Sequence, residues 1–272
     1  MPSAFGHATR SIVILLDGVW KSFGETVALR DASFSLGRGE VALLTGPSGA
    51  GKSTLLRILY AADRADRGRV VCAGFDLARL RQKNVPFLRR CVGVVFQDFK
   101  LLPERTVREN IGIALEIRNV PRREVRFRVD AVMAAVGLLD VRAEQKIERL
   151  SGGEQQRVAV ARAIVGEPEI VLADEPTGNL DPERSRELLE LFEVLRARGA
   201  TMVIATHDPD VMRFGLAHSW RRVRLEDGAV VDLAAEAISR PYSTQPAAER
   251  TGEVIALEGA MLRKLLEKGQ NK

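Results

Sequence analysis

The chain has 272 residues, 46% hydrophobic and 28% charged, enough to bury a full core and ordinary for a globular protein. Its 41 basic and 36 acidic residues leave a net charge of +5, which a mixed polar surface accounts for without a dedicated anionic partner. Cys72 and Cys91 lie in apolar stretches without CxxC spacing, and the three histidines lack ligand-like spacing, so neither a disulfide framework nor a zinc site is expected.

Apolar runs at 12–16 and 40–45 predict strands. The first is far shorter than the roughly 20 apolar residues of a membrane span. With only Arg10 before it and Asp17 after it, it is not a signal peptide either. A cytosolic chain is expected, with any membrane role exercised through another protein. The second run leads into Gly46-Pro47-Ser48-Gly49-Ala50-Gly51-Lys52-Ser53-Thr54, after which residues 51–62 carry helical spacing through Leu55, Leu56 and Leu59. A glycine-rich loop between strand and helix is the setting of a Walker A phosphate loop. Its backbone N–H groups would curl around the β- and γ-phosphates. Lys52 would add a mobile positive charge, and the Ser53 hydroxyl a ligand for Mg²⁺.

Further strands are predicted at 70–73 and 92–96, then two or more helices over 106–137 with a break at Pro121. The basic run from Arg118 to Arg128 reads as a solvated helix face. The next run, Leu150-Ser151-Gly152-Gly153-Glu154-Gln155-Gln156-Arg157, opens another helix. A hydroxyl and unhindered N–H groups at a helix start favour an anion. Because the chain already has one complete cradle, this second one suggests half a site for another copy's nucleotide. Apolar residues 170–173 carry Asp174 and Glu175 at the strand's carboxyl end, a Walker B pattern. Asp174 there would hold Mg²⁺, and Glu175 would accept a proton from an attacking water. A helix over 182–198 and a strand over 201–205 complete an α/β alternation. Beyond 232, residues 239–252 read as a linker, and 253–268 as an amphipathic helix carrying Val254, Leu257, Met261 and Leu265 on one face.

In this order the motifs resemble those of the ATP-binding-cassette (ABC) ATPases, over about residues 12–230. The resemblance implies a P-loop NTPase fold with a RecA-like core, an antiparallel β subdomain and a helical subdomain at about 100–165. It places the ATPase domain at 10–232, leaving 233–272 as linker and tail helix. It implies ATP and Mg²⁺ as ligands and a homodimer that traps two ATP molecules. In that dimer Ser151, Gly152, Gly153, Glu154 and Gln155 would act on the other copy's nucleotide. It further casts Gln97 as the Q-loop glutamine that reaches Mg²⁺ and water, and His207 as the histidine on the γ-phosphate. Asp181 becomes the D-loop residue at the dimer interface, although before Pro182 it also suits a helix cap. Phe23 aligns with the aromatic residue that stacks on adenine, with Trp20 as its rival.

Val85-Pro86-Phe87-Leu88-Arg89-Arg90, followed by Phe96-Gln97-Asp98 and Leu101-Leu102-Pro103, resembles the FtsE-type, cell-division branch of the family. That branch implies an integral membrane partner of the FtsX type at the cytoplasmic face of the bacterial inner membrane. Phe99, Leu101 and Leu102 are the candidate docking residues. The rival readings are the ATPase of a lipoprotein-release or macrolide exporter, and a nucleotide-gated scaffold with little turnover. Glu175 and His207 speak against the scaffold. The long coiled-coil or zinc insertion of nucleic-acid-handling relatives is absent between Walker A and the Ser151 run, so no nucleic acid is expected.

Overall fold

The computed structural model describes residues 11–138, 141 and 143–232. The chain runs through β1 (Ile12–Phe23), β2 (Thr26–Gly37), β3 (Val41–Thr45), α1 (Lys52–Leu59), β4 (Arg67–Cys72), β5 (Phe75–Asp76) and α2 (Val85–Cys91). There follow β6 (Val92–Val95), α3 (Val107–Glu116), α4 (Arg122–Ala135), α5 (Gly152–Ile164), β7 (Ile170–Asp174) and α6 (Pro182–Ala197). The described part ends with β8 (Thr201–Ala205), α7 (Pro209–Ala217), β9 (Arg221–Glu226) and β10 (Ala229–Asp232). The linker expected over 239–252 and the helix expected over 253–268 lie outside the described residues.

The strands form two sheets. One is antiparallel, in the order β2-β1-β4-β5; the other has the order β10-β9-β3-β8-β7-β6 and is parallel except for β10. Strands β3, β7 and β8 are apolar at nearly every position because both faces of this sheet are covered. Alternate residues divide between two cores. Leu43, Val171, Ala173, Met202 and Ile204 join the core that includes α3, α4, α5 and α6, whereas Ala42, Leu44, Leu172 and Val203 join the core under α1 and the antiparallel sheet. The parallel register also sets the carboxyl ends of β3, β6, β7 and β8 along one edge, where ligands of open α/β sheets bind.

The helices start where local chemistry predicts. Thr106 and Glu109 form a capping box at α3, and Ser151 and Glu154 another at α5. Asp181 caps α6, accepting from the Arg184 N–H at 2.9 Å, with Pro182 in the first turn.

The structure departs from the sequence expectation in several places, of which three bear on the site and its surroundings. The first strand continues to Phe23 and pairs with β2 through several register shifts, so its polar second half did not read as a strand. The basic run is not one solvated face. Arg122, Arg123 and Arg126 are exposed, but Arg128 is 4% exposed and donates to Glu124, and Arg118 donates to the carbonyls of Gly166 and Arg90. Helical periodicity turns Arg128 inward on α4, whereas Arg118 lies in the turn after α3 and is drawn in by those two carbonyls. Cys72 is buried as expected, but Cys91 is only half-buried; both are free thiols, and burial pushes both up from their ordinary titration range.

Candidate active site

Four strand ends converge on the loop from Gly46 to Thr54. The main chain of Gly51 lies at φ 101°, and a Cβ there would fall 2.2 Å from the Ala28 carbonyl on β2. Only glycine fits, so the antiparallel sheet presses directly on the phosphate loop. Lys52 Nζ donates to the carbonyls of Gly46 and Pro47, at 2.8 and 2.9 Å. These neutral acceptors hold the ammonium against its own loop, and a phosphate oxygen, being charged, would make a stronger partner. Pro47, Ser48, Gly49 and Ser53 are exposed, Thr54 is half-buried, and Ala50 packs into the core.

Ser53 Oγ donates to Asp174 Oδ2 at 2.7 Å, joining the start of α1 to the end of β7. A hydroxyl beside a carboxylate is the oxygen set a hard divalent cation takes. Burial raises the Asp174 carboxyl above its ordinary range and the neighbouring Glu175 charge pushes the same way, against the Ser53 hydrogen bond and Lys52, which lower it. A cation bound there would restore the ionised form.

Glu175 sits one residue past β7 with φ 47°, a left-handed conformation that costs about 1–3 kcal/mol for a non-glycine residue. Its N–H donates to the Ala205 carbonyl, which fixes the turn against β8. The side chain, 14% exposed, accepts from Thr206 Oγ1 at 3.2 Å and lies 2.6 Å from His207 Nδ1. A carboxylate can only accept, so Nδ1 carries the proton and the ring's Nε2 edge is left to face outward. His207 is 81% exposed. Thr206 was not singled out from the sequence. Its signal is positional, since it precedes His207 and is buried at the end of an otherwise apolar strand.

Gln97, two residues past β6, is exposed at the same edge of the sheet. Phe23, at the tip of the β1–β2 hairpin, is 49% exposed with Lys21 Nζ 5.1 Å from its ring centre, while Trp20 is half-buried. The open aromatic face is therefore that of Phe23.

Away from this cluster, at the start of α5, Ser151 and Gly152 are exposed, and Gly153 and Glu154 half-buried. Glu154 Oε2 accepts from both the Ser151 N–H and hydroxyl at 2.7 Å, and these bonds hold its carboxyl below the usual range. Gln155 donates to the Leu150 carbonyl at 3.0 Å. The Asn179 carbonyl would lie 3.2 Å from a Cβ on Gly153, and Asn179 Nδ2 reaches Gln156 Oε1 at 3.5 Å. The segment leading to Asp181 thus packs on the start of α5, and Asp181 is exposed beside it. Asp174, Glu175, His207 and the phosphate loop come together within one chain; Ser151, Gly152 and Asp181 form a separate exposed surface.

The ABC transporter family model matches residues 29–178. The chain belongs to the ABC transporter ATPase family. Among curated relatives, the cell division ATP-binding protein FtsE of Streptococcus pneumoniae (serotype 2, strain D39) is 48% identical over 221 residues, which cover 81% of this chain and 94% of the relative. FtsE of Escherichia coli K12 is 45% identical over 217 residues, or 79% and 96% of the two chains. Among solved structures, the dimeric post-hydrolysis state of the cassette MJ0796, bound to ADP and Pi, superposes with a TM-score of 0.74 at 35% identity. It covers 81% of this chain and 98% of its own. As an ABC ATPase this chain binds ATP. Among the described residues, no helix is long and apolar enough to cross a membrane.

Proposed function

We propose that the chain is the ATP-hydrolysing subunit of a bacterial division complex, pairing with an integral membrane protein of the FtsX type. The observation that carries this reading is the near full-length similarity to FtsE proteins, joined to an intact set of hydrolytic side chains at the strand ends. In this reading residues 10–232 are the catalytic unit and 233–272 an appendage to it.

The residues act as follows. Lys52 exchanges its loop carbonyls for phosphate oxygens, and the loop from Gly46 to Thr54 supplies N–H groups to the same phosphates. Ser53 and Asp174, with Gln97, hold Mg²⁺, which when bound neutralises phosphate charge. Phe23 stacks on the base. Glu175, oriented by Thr206 and the imidazole, takes the proton of the attacking water. His207 presents its outer ring edge to the γ-phosphate. Ser151, Gly152 and Gly153 of a second copy close on that phosphate from the other side, with Asp181 at the seam, so two copies grip two nucleotides. Loss of the γ-phosphate removes the shared anion and favours opening. The exposed Leu102, with Phe99 and Leu101 behind it, offers the membrane partner a docking edge on the cytoplasmic face of the inner membrane.

Purification of the tagged chain from its own cells in mild detergent tests the assignment. An FtsX-type membrane protein should accompany it at equal stoichiometry. Recovery of a lipoprotein-release or macrolide-export permease instead would reject the division role and leave the ATPase standing.

A further inference from the structure

The turn that follows Gln97 is held in an unusual way. Phe99 and Lys100 both adopt left-handed backbone conformations, with φ of 60° and 48°. Two such residues in a row, neither of them glycine, persist only where the surroundings impose them. Arg162, near the carboxyl end of α5, donates from Nη2 to the Phe99 carbonyl at 2.6 Å and from Nη1 to the Lys100 carbonyl at 2.7 Å. The planar fork of the guanidinium holds two consecutive carbonyls in one fixed geometry. No carboxylate shares this guanidinium among the bonds of the described residues, and burial alone lowers its titration. Asn110 of α3 adds a second anchor, accepting from the Leu102 N–H at 2.8 Å and donating to its carbonyl at 3.0 Å. The stretch from 99 to 102 therefore belongs mechanically to the helices, although β6, which precedes it, belongs to the sheet.

The same end of α5 is pinned to that sheet. A Cβ on Gly93, in the middle of β6, would fall 2.1 Å from the Ala163 carbonyl, so the helix touches the strand backbone directly beside Arg162. From that contact the helix runs back 11 residues to Gly152, about 16 Å at 1.5 Å per residue, ending at the exposed Ser151. One helix thus carries the Arg162 guanidinium at one end and the exposed Ser151 cap at the other. In the chain, Gln97 lies between β6 and the turn that Arg162 holds.

We propose that Arg162 is a positioning residue for ATP hydrolysis: its guanidinium ties the turn after Gln97 to the helix that begins at Ser151. The inference rests on the reading of Gln97 as a pocket residue.

The test compares Arg162→Ala, Arg162→Lys, Gln97→Ala and the double variant Gln97→Ala/Arg162→Ala in the full chain, with thermal melting as the check on folding. Because Arg162 touches no part of the phosphate loop, the KM for ATP should stay within about twofold. Misplacing a pocket residue should lower kcat roughly tenfold to a hundredfold. Arg162→Lys should fall in between, and it carries the test if the alanine variant does not fold. Two residues acting as one unit should not add, so the double variant should be no slower than the worse single. Amide hydrogen exchange should rise over residues 98–100 in the Arg162 variants and stay unchanged over β6. Wild-type kcat in folded Arg162 variants, or a double variant slower by the product of the two single losses, overturns the proposal alone. Wild-type kcat in Gln97→Ala overturns both the proposal and the reading of Gln97.

Discussion

The strand-end cluster and the start of α5 both offer oxygen and N–H groups to an anion, yet they are satisfied in different ways. At the strand ends the hydrogen bonds join elements far apart in sequence, Ser53 to Asp174 across 121 positions and His207 to Glu175 across 32. At α5 they are local, with Ser151 and Glu154 closing a box three residues wide. The fold assembles the first cluster before any nucleotide arrives. The second needs only a helix to form, so it is a finished cap in a lone subunit. On the proposed function, hydrolytic chemistry belongs to the assembled cluster and response to a second copy to the cap. If the contrast holds, substitutions in the two regions should separate turnover and binding from dimer closure.

Glu175→Gln should break it most visibly. The amide keeps one oxygen, for only one of the Thr206 and His207 donors, and lacks the basic carboxylate; with the loop around Lys52 untouched, ATP binding should persist while turnover falls by roughly 10²- to 10⁴-fold, the usual loss on removing a general base. Dimers should then accumulate with ATP, visible by light scattering, and wild-type turnover would remove Glu175 from the base role. Lys52→Ala comes next. It deletes a charge-assisted donor to phosphate, and ATP affinity measured by calorimetry should fall roughly 10- to 100-fold with the fold intact. Unchanged affinity would reject the phosphate loop as assigned.

Asp174 sharpens the comparison through pH. Its carboxyl titrates above the ordinary range, chiefly because it is buried. Between the unfolded and folded values the native state holds the extra proton, so this group stabilises the free protein at low pH, and that contribution is lost as pH rises through the folded value. If Asp174 holds Mg²⁺ as proposed, the cation must displace that proton. Its affinity should therefore decline as pH falls through the Asp174 titration, by up to about tenfold per pH unit for one proton. Asp174→Asn should flatten the profile, and a pH-independent Mg²⁺ affinity in the unaltered chain would place the cation elsewhere.

Much of this was legible before the fold was known, for a physical reason. The phosphate loop, the α5 cap and the acidic strand end are contiguous runs whose chemistry depends on local geometry. Strands β3, β7 and β8 announced themselves because burial on both faces leaves them apolar at nearly every position. Strand β2, with Arg30, Asp31 and other polar residues along its exposed face, was missed, as was the second half of β1, since their pairing is set across the sheet and through bulges. The roles of Thr206, Asn110 and Arg162 were hidden for a related reason. Each depends on which backbone atom the tertiary fold brings within reach, and no spacing encodes that. Arg128 was misplaced because a charge run shows its composition but not its rotation about the helix axis, and Arg118 because the run does not show that α3 has ended before it.

The smallest expected effect lies at the cap itself. Ser151→Ala removes an acceptor for the Glu154 N–H and a donor to its carboxylate, a loss of about 0.5–2 kcal/mol at an N-cap. For a chain of this size that is a shift of only a few degrees in Tm. The cap also ties stability to pH. The Ser151 hydroxyl and N–H hold the Glu154 carboxyl below its ordinary range, so its contribution is present above the unfolded value and lost as pH falls through the folded one. In Ser151→Ala that acid-side loss should shrink. If Ser151 were only a cap, ATP-dependent dimerisation would survive the substitution once temperature is corrected for the lower Tm. If its hydroxyl also meets a second copy's phosphate, dimerisation by light scattering should weaken well beyond that correction, while ATP binding by the lone subunit stays unchanged. Survival of dimerisation would confine Ser151 to helix capping, and the contrast between the two regions would then reduce to one of stability.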